Sequence, residues 1–453
     1  MYVFFFGLIF FRPQSIVEAY APTSTLLLPF RNKKLAPTQP LSFDSLPQPR
    51  RLFTRLHEST IPALQLQDVP NNGKPFTPSW KDIFEIPIKC DTKEKFDSIP
   101  AGKRVAIVSR VSVLHLTLLS CVGPLIFRGA IRSSLPLHMA ATMNLTPFLS
   151  FLFTLQGLSF HACHNLLNDW QDLDDDDSDA ENSFRLSYGV HALKQGFMTK
   201  PQFLKLMSTV ALPGILLTSL FFLQGSVLGT AAVYGLLALV FYTTVFKPIA
   251  LGELLIFLVW GPLMAGYGNI AAGSIQMAAS PRALVTSPVS VLFGCAALAV
   301  IMGKHTDKIR SSDKRTFPKV LGFPKALFAC GGSILLPHIV LITTIIRERF
   351  LTSSADASFV PTVPWGAALA LLTLLREVPI CLRILRLGAP KGNEPTIPRG
   401  TILPGTILPA DVDRAWPLWF VAFLGWHALT FAYLMVMGSG IEWALRAFLA
   451  RTG

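Results

Sequence analysis

Residues 165–177 read Asn-Leu-Leu-Asn-Asp-Trp-Gln-Asp-Leu-Asp-Asp-Asp-Asp and follow an apolar run that extends from Leu149 to Leu167. An Asp near the centre of a bilayer costs about 3 kcal/mol on insertion scales, so acidic residues at a membrane rim usually have a partner. Carboxylate oxygens suit Mg²⁺, which proteins bind through one or two carboxylates together with substrate phosphates. This stretch therefore predicts the end of a membrane helix that can hold a divalent cation.

Four oxygen-bearing side chains of this stretch share one helical face, because they follow the spacing i, i+4, i+7 and i+11. They are Asn165, Asp169, Asp172 and Asp176. One helix end can therefore direct four polar side chains at a single point.

The composition is that of a polytopic membrane protein. The chain has 453 residues, a net charge of +13 and only 15% charged residues, against about 25% in soluble domains. Its mean hydropathy is +0.47. The six cysteines are scattered without a Cys-x-x-Cys pair. We therefore expect core thiols rather than a disulfide framework or a zinc site.

Nine apolar stretches approach the length of about 20 residues that a spanning helix needs. They are 107–127, 141–167, 205–223, 226–244, 252–273, 284–303, 325–346, 364–382 and 416–437. We predict an all-α fold, a polytopic membrane protein with about nine transmembrane helices in one bundle over residues 104–440. Residues 1–103 are expected to form a basic, mostly disordered leader with a short apolar N-terminus, and 441–453 a C-terminal tail.

Basic residues are concentrated in alternate connections between the predicted spans. If the N-terminus is cytosolic, the cytosolic connections 168–204, 245–251, 304–324 and 383–415 carry most of the Lys and Arg residues. This bias predicts a multi-pass protein whose N-terminus and acidic and basic loops face the cytosol. The long basic leader and irregular N-terminus favour an endomembrane.

A second polar cluster, Gly303-Lys304-His305-Thr306-Asp307-Lys308, again lies where an apolar helix meets the cytosol, and Asp313 follows it. Carboxylates bind metal ions, and Lys or Arg binds a diphosphate. Two converging helix ends of this kind can hold a pair of Mg²⁺ ions around a diphosphate.

The first of these clusters resembles a known motif. Asn168-Asp169-x-x-Asp172-x-x-x-Asp176 is similar to the first aspartate motif of the UbiA superfamily of intramembrane prenyltransferases, and Asn165 fits the N-x-x-x-D form of that motif. The resemblance extends over residues 104–440, and nine spans is the number typical of the superfamily.

Two further motifs add detail to the resemblance. Gly252-Glu253-(x)₇-Gly261-Pro262, with Arg110 at the opening of the first span, resembles the dihydroxynaphthoate-prenylating branch. Lys304-His305-Thr306-Asp307-Lys308, followed by Thr316-Phe-Pro-Lys-Val-Leu-Gly, resembles the second-motif loop of a related subgroup. The sequence departs from the usual D-x-x-x-D form, because Asp307 and Asp313 are six residues apart and do not share a helical face.

The resemblance implies a reaction and a set of site residues. Mg²⁺ would bind an isoprenyl diphosphate, and ionisation would give an allylic cation that alkylates an acceptor, usually an aromatic ring. The implied catalytic residues are Asp169, Asp172 and Asp307. The implied metal ligands are Asp169, Asp172, Asp176, Asp307 and Asp313. The implied diphosphate-binding residues are Asn165, Asn168, Arg185, Lys247 and Lys304. The expected partners are the isoprenyl diphosphate, an aromatic or quinone-precursor acceptor and the lipid bilayer, and no nucleic acid.

Two other functions are compatible with these patterns. A terpene cyclase of the same superfamily would ionise the same diphosphate and quench the cation within the molecule, without an acceptor. A transporter or cation channel would also place acids at membrane depth. It would, however, predict interrupted helices near the midplane of symmetry-related halves, whereas the acids lie at the predicted cytosolic ends of spans 2 and 6.

Overall fold

The computed structural model describes residues 78–80, 83, 90, 92–173, 190–274, 280–309, 315–352, 360–387 and 419–452. Every regular element among these residues is a helix, which confirms the predicted all-α fold class. The α-helices are α1 (Lys93–Asp97), α2 (Ala101–Val108), α3 (His115–Ser134), α4 (Leu137–Thr142), α5 (Pro147–Gln171), α6 (Lys200–Leu223), α7 (Val227–Phe241), α8 (Gly252–Leu258), α9 (Tyr267–Ala271), α10 (Pro281–Thr286), α11 (Pro288–Asp307), α12 (Phe317–Leu321), α13 (Phe323–Ile346), α14 (Glu377–Leu387) and α15 (Trp419–Thr452).

Six helical stretches in the described residues are long and apolar enough to cross a membrane. They are His115–Ser134, Lys200–Leu223, Gly252–Ala271, Pro288–Asp307, Phe323–Thr352 and Phe423–Thr452. The predicted spans 141–167 and 226–244 coincide with α5 and α7, and the span 364–382 is divided between a 3₁₀ segment, Trp365–Leu374, and α14. The count of nine spans therefore stays a prediction.

Helix α11 forms the centre of the bundle. Most of its side chains are buried, and it packs against α8, α13 and α15. Helix α5, which carries the first acidic motif, packs against α3 and α6. Electrostatic interaction of Lys304 with Asp172 and Arg110 shows that the ends of α5 and α11 face the same region.

Two π-helical segments interrupt the helices around the site. One, Tyr242–Phe246, extends α7, and the other, Val259–Gly266, joins α8 to α9. In the first, the N–H of Lys247 donates to the carbonyl of Tyr242 at 2.9 Å, five residues back along the chain. Such insertions occur mostly at functional sites, and this one turns the chain at Lys247.

The segment before the first span packs over the end of α5. Phe96 and Ile99 lie in one hydrophobic cluster with Leu166 of α5 and with Phe197 of the connection 190–198. Lys93 Nζ also donates to the carbonyl of Phe197 at 3.1 Å. Helical structure is thus already present ahead of the predicted start of the domain, in α1 and α2, and α15 continues through the predicted tail to Thr452.

Candidate active site

Asp169 is the centre of a buried ion-pair network at the end of α5. Arg110 Nη2 donates to Asp169 Oδ1, and His191 Nδ1 lies 3.1 Å from the same oxygen. The other carboxylate oxygen, Oδ2, is buried without a hydrogen-bond partner among the described residues. Burial by itself would raise the pKa of Asp169, which lies just beyond the predicted span, but Arg110 and His191 outweigh it and hold that pKa below its usual value.

The backbone around Arg110 is held in an unusual conformation. Arg110 has φ 56° and ψ 54°, in the left-handed region that non-Gly residues seldom occupy. Asn165 Nδ2 donates to the carbonyl of Ser109 at 3.1 Å, so the predicted diphosphate contact Asn165 fixes the residue before Arg110. Such strained residues cluster at functional sites. Ala250, after Lys247, is the other non-Gly residue with positive φ in the described chain.

Four basic side chains gather beside Asp169 and Asp172. Lys304 interacts electrostatically with Arg110, Lys247, Lys308 and Asp172, although these residues come from four separate parts of the chain. We call Arg110, Lys247, Lys304 and Lys308 the cation cluster. These four basic side chains outnumber the two carboxylates of Asp169 and Asp172. Because unbalanced charge in a partly buried site is costly, the arrangement suits an anionic ligand.

Asp307 has a different environment from Asp169. Its Oδ1 accepts the N–H of Phe420 at 2.8 Å and its Oδ2 accepts the N–H of Val421 at 2.9 Å. Both N–H groups belong to the first turn of α15, where helices lack internal acceptors. The carboxylate therefore caps α15 from the end of α11, and its role as a metal ligand stays a prediction.

Glu253 joins three elements beneath the cation cluster. Its Oε1 lies 2.5 Å from His305 Nδ1 of α11 and accepts the N–H of Phe317, the first residue of α12, at 3.1 Å. Gly261 has a packing role in the same signature, because a Cβ there would lie 2.5 Å from the carbonyl oxygen of Ser290. Glu253 and Gly261, which belong to the signature that resembles the dihydroxynaphthoate-prenylating branch, thus hold α8 and its π extension against α11.

An apolar cavity extends into the bundle from the cation cluster. Its empty space, including space open to the surroundings, is about 660 Å³, and it lies between α5, α7, α8 and the π segment that follows α8. His164 lines it and interacts electrostatically with Lys304, Arg110 and Lys247. Aromatic walls are supplied by Trp260, whose ring centroid lies 5.1 Å from that of His161, and by Tyr242, 5.4 Å from His164. The site is therefore amphipathic, with a cationic mouth and an apolar interior.

The residues at the mouth fit a magnesium ion that a substrate phosphate helps to hold. The buried, unpartnered Oδ2 of Asp169 is an oxygen ligand of the kind Mg²⁺ prefers. Asp172 follows at the C-terminal end of α5, with its N–H on the carbonyl of Asn168 at 3.0 Å. No group of three or more His, Cys, Asp or Glu side chains arranged to hold a metal was found within the described residues, so phosphate and water would complete the coordination.

The structure brings together only part of the predicted set. Asp169, Asp172, Lys247 and Lys304 lie at the cation cluster, and Asn168 is the neighbour of Asp169 on α5. Asp176, Arg185 and Asp313 lie outside the described residues.

Sequence reasoning assigned no site role to Arg110, His191, His164, His305 or Lys308. In the sequence, Arg110 lies 59 residues from Asp169 and 81 residues from His191. The contacts of Arg110 with these two residues therefore depend on the tertiary fold. The sequence feature that could have identified three of them is their position: Arg110 opens a predicted span, and His191 and Lys308 follow acidic motifs at helix ends.

A family model described as the UbiA prenyltransferase family matches residues 133–383, more than half of the 453 residues. The matched range includes Asp169, Asp307 and the residues that line the apolar cavity, but not Arg110 or α15. No curated protein matches the chain.

Proposed function

The chain belongs to the UbiA prenyltransferase family, and from that premise we propose that it ionises an isoprenyl diphosphate whose diphosphate lies at the cation cluster and whose tail lies in the apolar cavity. The observation that carries this proposal is the position of His164, which lines the cavity and also neighbours three members of the cation cluster. An anionic head joined to an apolar tail matches both halves of this site.

The residues of the site have distinct parts in this reaction. The cation cluster neutralises the charge that grows on the leaving diphosphate, which favours breaking the carbon–oxygen bond. Arg110 is held for this task by Asp169 and by the Asn165–Ser109 hydrogen bond. The apolar cavity keeps water from the allylic cation, and the faces of Tyr242 and Trp260 can stabilise its charge.

We further propose that Mg²⁺ is required. Asp169 and Asp172 would hold it, with Asp176 as a further ligand implied by the motif. The ion would supply Lewis-acid stabilisation of the diphosphate oxygens. Asp307 and Asp313 stay second-motif predictions; the Asp307 carboxylate would first have to leave the N–H groups of α15.

We propose an aromatic or quinone-precursor acceptor for the prenyl group. The Gly252-Glu253-(x)₇-Gly261-Pro262 signature, which resembles that of the dihydroxynaphthoate-prenylating branch, supports this choice. The excess of Lys and Arg in the connections beside the site supports a cytosolic orientation of its mouth.

The test is product analysis with purified protein in lipid nanodiscs. Geranyl, farnesyl or geranylgeranyl diphosphate is supplied with Mg²⁺, with and without 1,4-dihydroxy-2-naphthoate or simple phenols, and diphosphate release and organic products are measured. Turnover that needs an acceptor supports transfer, whereas a hydrocarbon released without one supports the cyclase alternative. Chelation by EDTA should stop the reaction and excess Mg²⁺ should restore it. No diphosphate release from any donor would refute the proposal.

A further inference from the structure

The apolar cavity has a measurable depth along α5. Its wall on that helix begins at His164, beside the cation cluster, and ends at Phe153. These residues are eleven positions apart, which at 1.5 Å per residue is about 16 Å. The cavity therefore accommodates an extended chain of limited length.

Packed side chains form the part of the cavity wall that is farthest from His164. Phe153 and Met264 line it there and are only 4% and 9% exposed. Both belong to a hydrophobic cluster with Phe221, Leu228 and Leu284, so a chain that reaches Phe153 meets the core of the bundle. A longer tail could enter only by displacing that core.

The wall contributed by α7 is made of small residues. Ala231, Ala232, Gly235 and Ala238 line the cavity. A Cβ at Gly235 would meet only Leu263 Cδ2, at 3.8 Å, which is an ordinary contact. A larger side chain at Gly235 would therefore extend into the cavity rather than collide with the backbone. Gly235 lies seven residues, or about 10 Å, from Tyr242 at the mouth.

We infer that the length of this cavity determines which isoprenyl diphosphate is accepted, and that it selects a tail of three isoprenoid units, the farnesyl length. The inference rests on the proposed function, because it presumes that the tail occupies the cavity. Each unit adds four carbon–carbon bonds of about 1.5 Å, or about 5 Å along a zigzag chain. Three units reach Phe153, two units reach the level of Gly235, and a fourth unit has no space.

Substitutions at two depths of the cavity, Gly235 and Phe153, test this selection of tail length. The measurement is kcat/KM for geranyl, farnesyl and geranylgeranyl diphosphate, followed by diphosphate release. Wild type should prefer farnesyl over geranylgeranyl diphosphate by at least about tenfold, the scale on which apolar pockets discriminate. Gly235→Leu should lower kcat/KM for farnesyl diphosphate at least about tenfold and leave geranyl diphosphate nearly unchanged. Gly332→Leu is the matched control, because Gly332 of α13 lies outside the cavity lining and a Cβ there would meet nothing within 4 Å.

The opposite change opens the far end. Phe153→Ala should raise kcat/KM for geranylgeranyl diphosphate relative to farnesyl diphosphate. If that variant does not fold, Gly235→Leu still decides the matter, because it fills open space and removes no packing. If wild type has equal kcat/KM for all three donors and Gly235→Leu changes none of these values, the selection of tail length is refuted while the proposed function stands. If wild type releases diphosphate from none of them, both fail.

Discussion

The ends of α5 and α11 carry the same kind of residue at the same kind of position, yet the two aspartates have different partners. Asp169 shares one oxygen with Arg110 and His191 and keeps its second oxygen unpartnered among the described residues. Asp307 gives both oxygens to backbone N–H groups of α15. Both are nearly fully buried, so the difference lies in the neighbours and not in exposure.

This difference separates a carboxylate that is available to a ligand from one that holds the fold. Side-chain cations leave room for a metal or phosphate, since they can reorient towards it. Backbone N–H groups at a helix start are fixed, and they need an acceptor whether or not substrate is present. The sequence of an aspartate motif does not by itself show whether its carboxylate is available to a ligand or caps a helix.

The largest effect should come from Asp169→Asn. Without the negative charge, Arg110 and His191 lose their ionic partner, and the proposed Mg²⁺ site loses a carboxylate. We expect diphosphate release per folded molecule to fall at least about 100-fold, equivalent to about 2.7 kcal/mol, in addition to a lower thermal midpoint from loss of the buried ion pair. Asp97→Asn, at an exposed ion pair with Arg104, is the control and should retain full activity. Comparable activity in the Asp169 variant would remove the distinction between the two aspartates.

Asp307→Asn should mainly lower stability. The amide group of Asn cannot accept both N–H groups of α15, and an unpaired buried donor costs about 1–3 kcal/mol. We expect a lower thermal midpoint and a loss of turnover per folded molecule smaller than that of Asp169→Asn. An unchanged midpoint together with complete loss of turnover would show that Asp307 acts on the substrate instead.

Lys304→Gln should have an intermediate effect, because Lys304 is the residue of α11 that we assign to diphosphate binding. It removes one charge from the cation cluster, and hydrogen bonds to charged groups contribute about 1.5–3 kcal/mol. We expect KM for the diphosphate to rise roughly tenfold or more, with a weaker dependence on salt concentration. Lys205→Gln, an exposed lysine at the start of α6, is the matched control. Equal kinetics in both variants would exclude Lys304 from the diphosphate site.

The smallest effect is expected from Glu253→Gln. The amide oxygen can still accept the N–H of Phe317, but the charged partner of His305 is lost. Unfolding free energy should fall by about 1 kcal/mol, measured by denaturant titration, against no change for the exposed Glu94→Gln. A loss of activity without a loss of stability would instead assign Glu253 to the reaction.

Periodicity and composition were sufficient to predict the all-α membrane fold, because long apolar stretches have few alternatives in a bilayer. The Asn and Asp residues at the end of α5 also indicated where the site begins. The site itself depends on contacts over long sequence separations, such as Arg110 with Asp169, which spacing does not encode. The π segment Tyr242–Phe246 shifts the helical register before Lys247, and the capping of α15 by Asp307 joins residues 113 positions apart.

The most direct measurement is the thermal stabilisation of the protein by Mg²⁺ together with a farnesyl diphosphate analogue whose bridging oxygen is replaced by sulfur. A ligand that binds the folded state raises its stability by RT ln(1 + [L]/Kd), about 2.7 kcal/mol at 100 times Kd. We predict Mg²⁺-dependent stabilisation of wild type and of Asp97→Asn, and none of Asp169→Asn. Stabilisation of Asp169→Asn equal to that of wild type would contradict the assignment of the substrate to the end of α5.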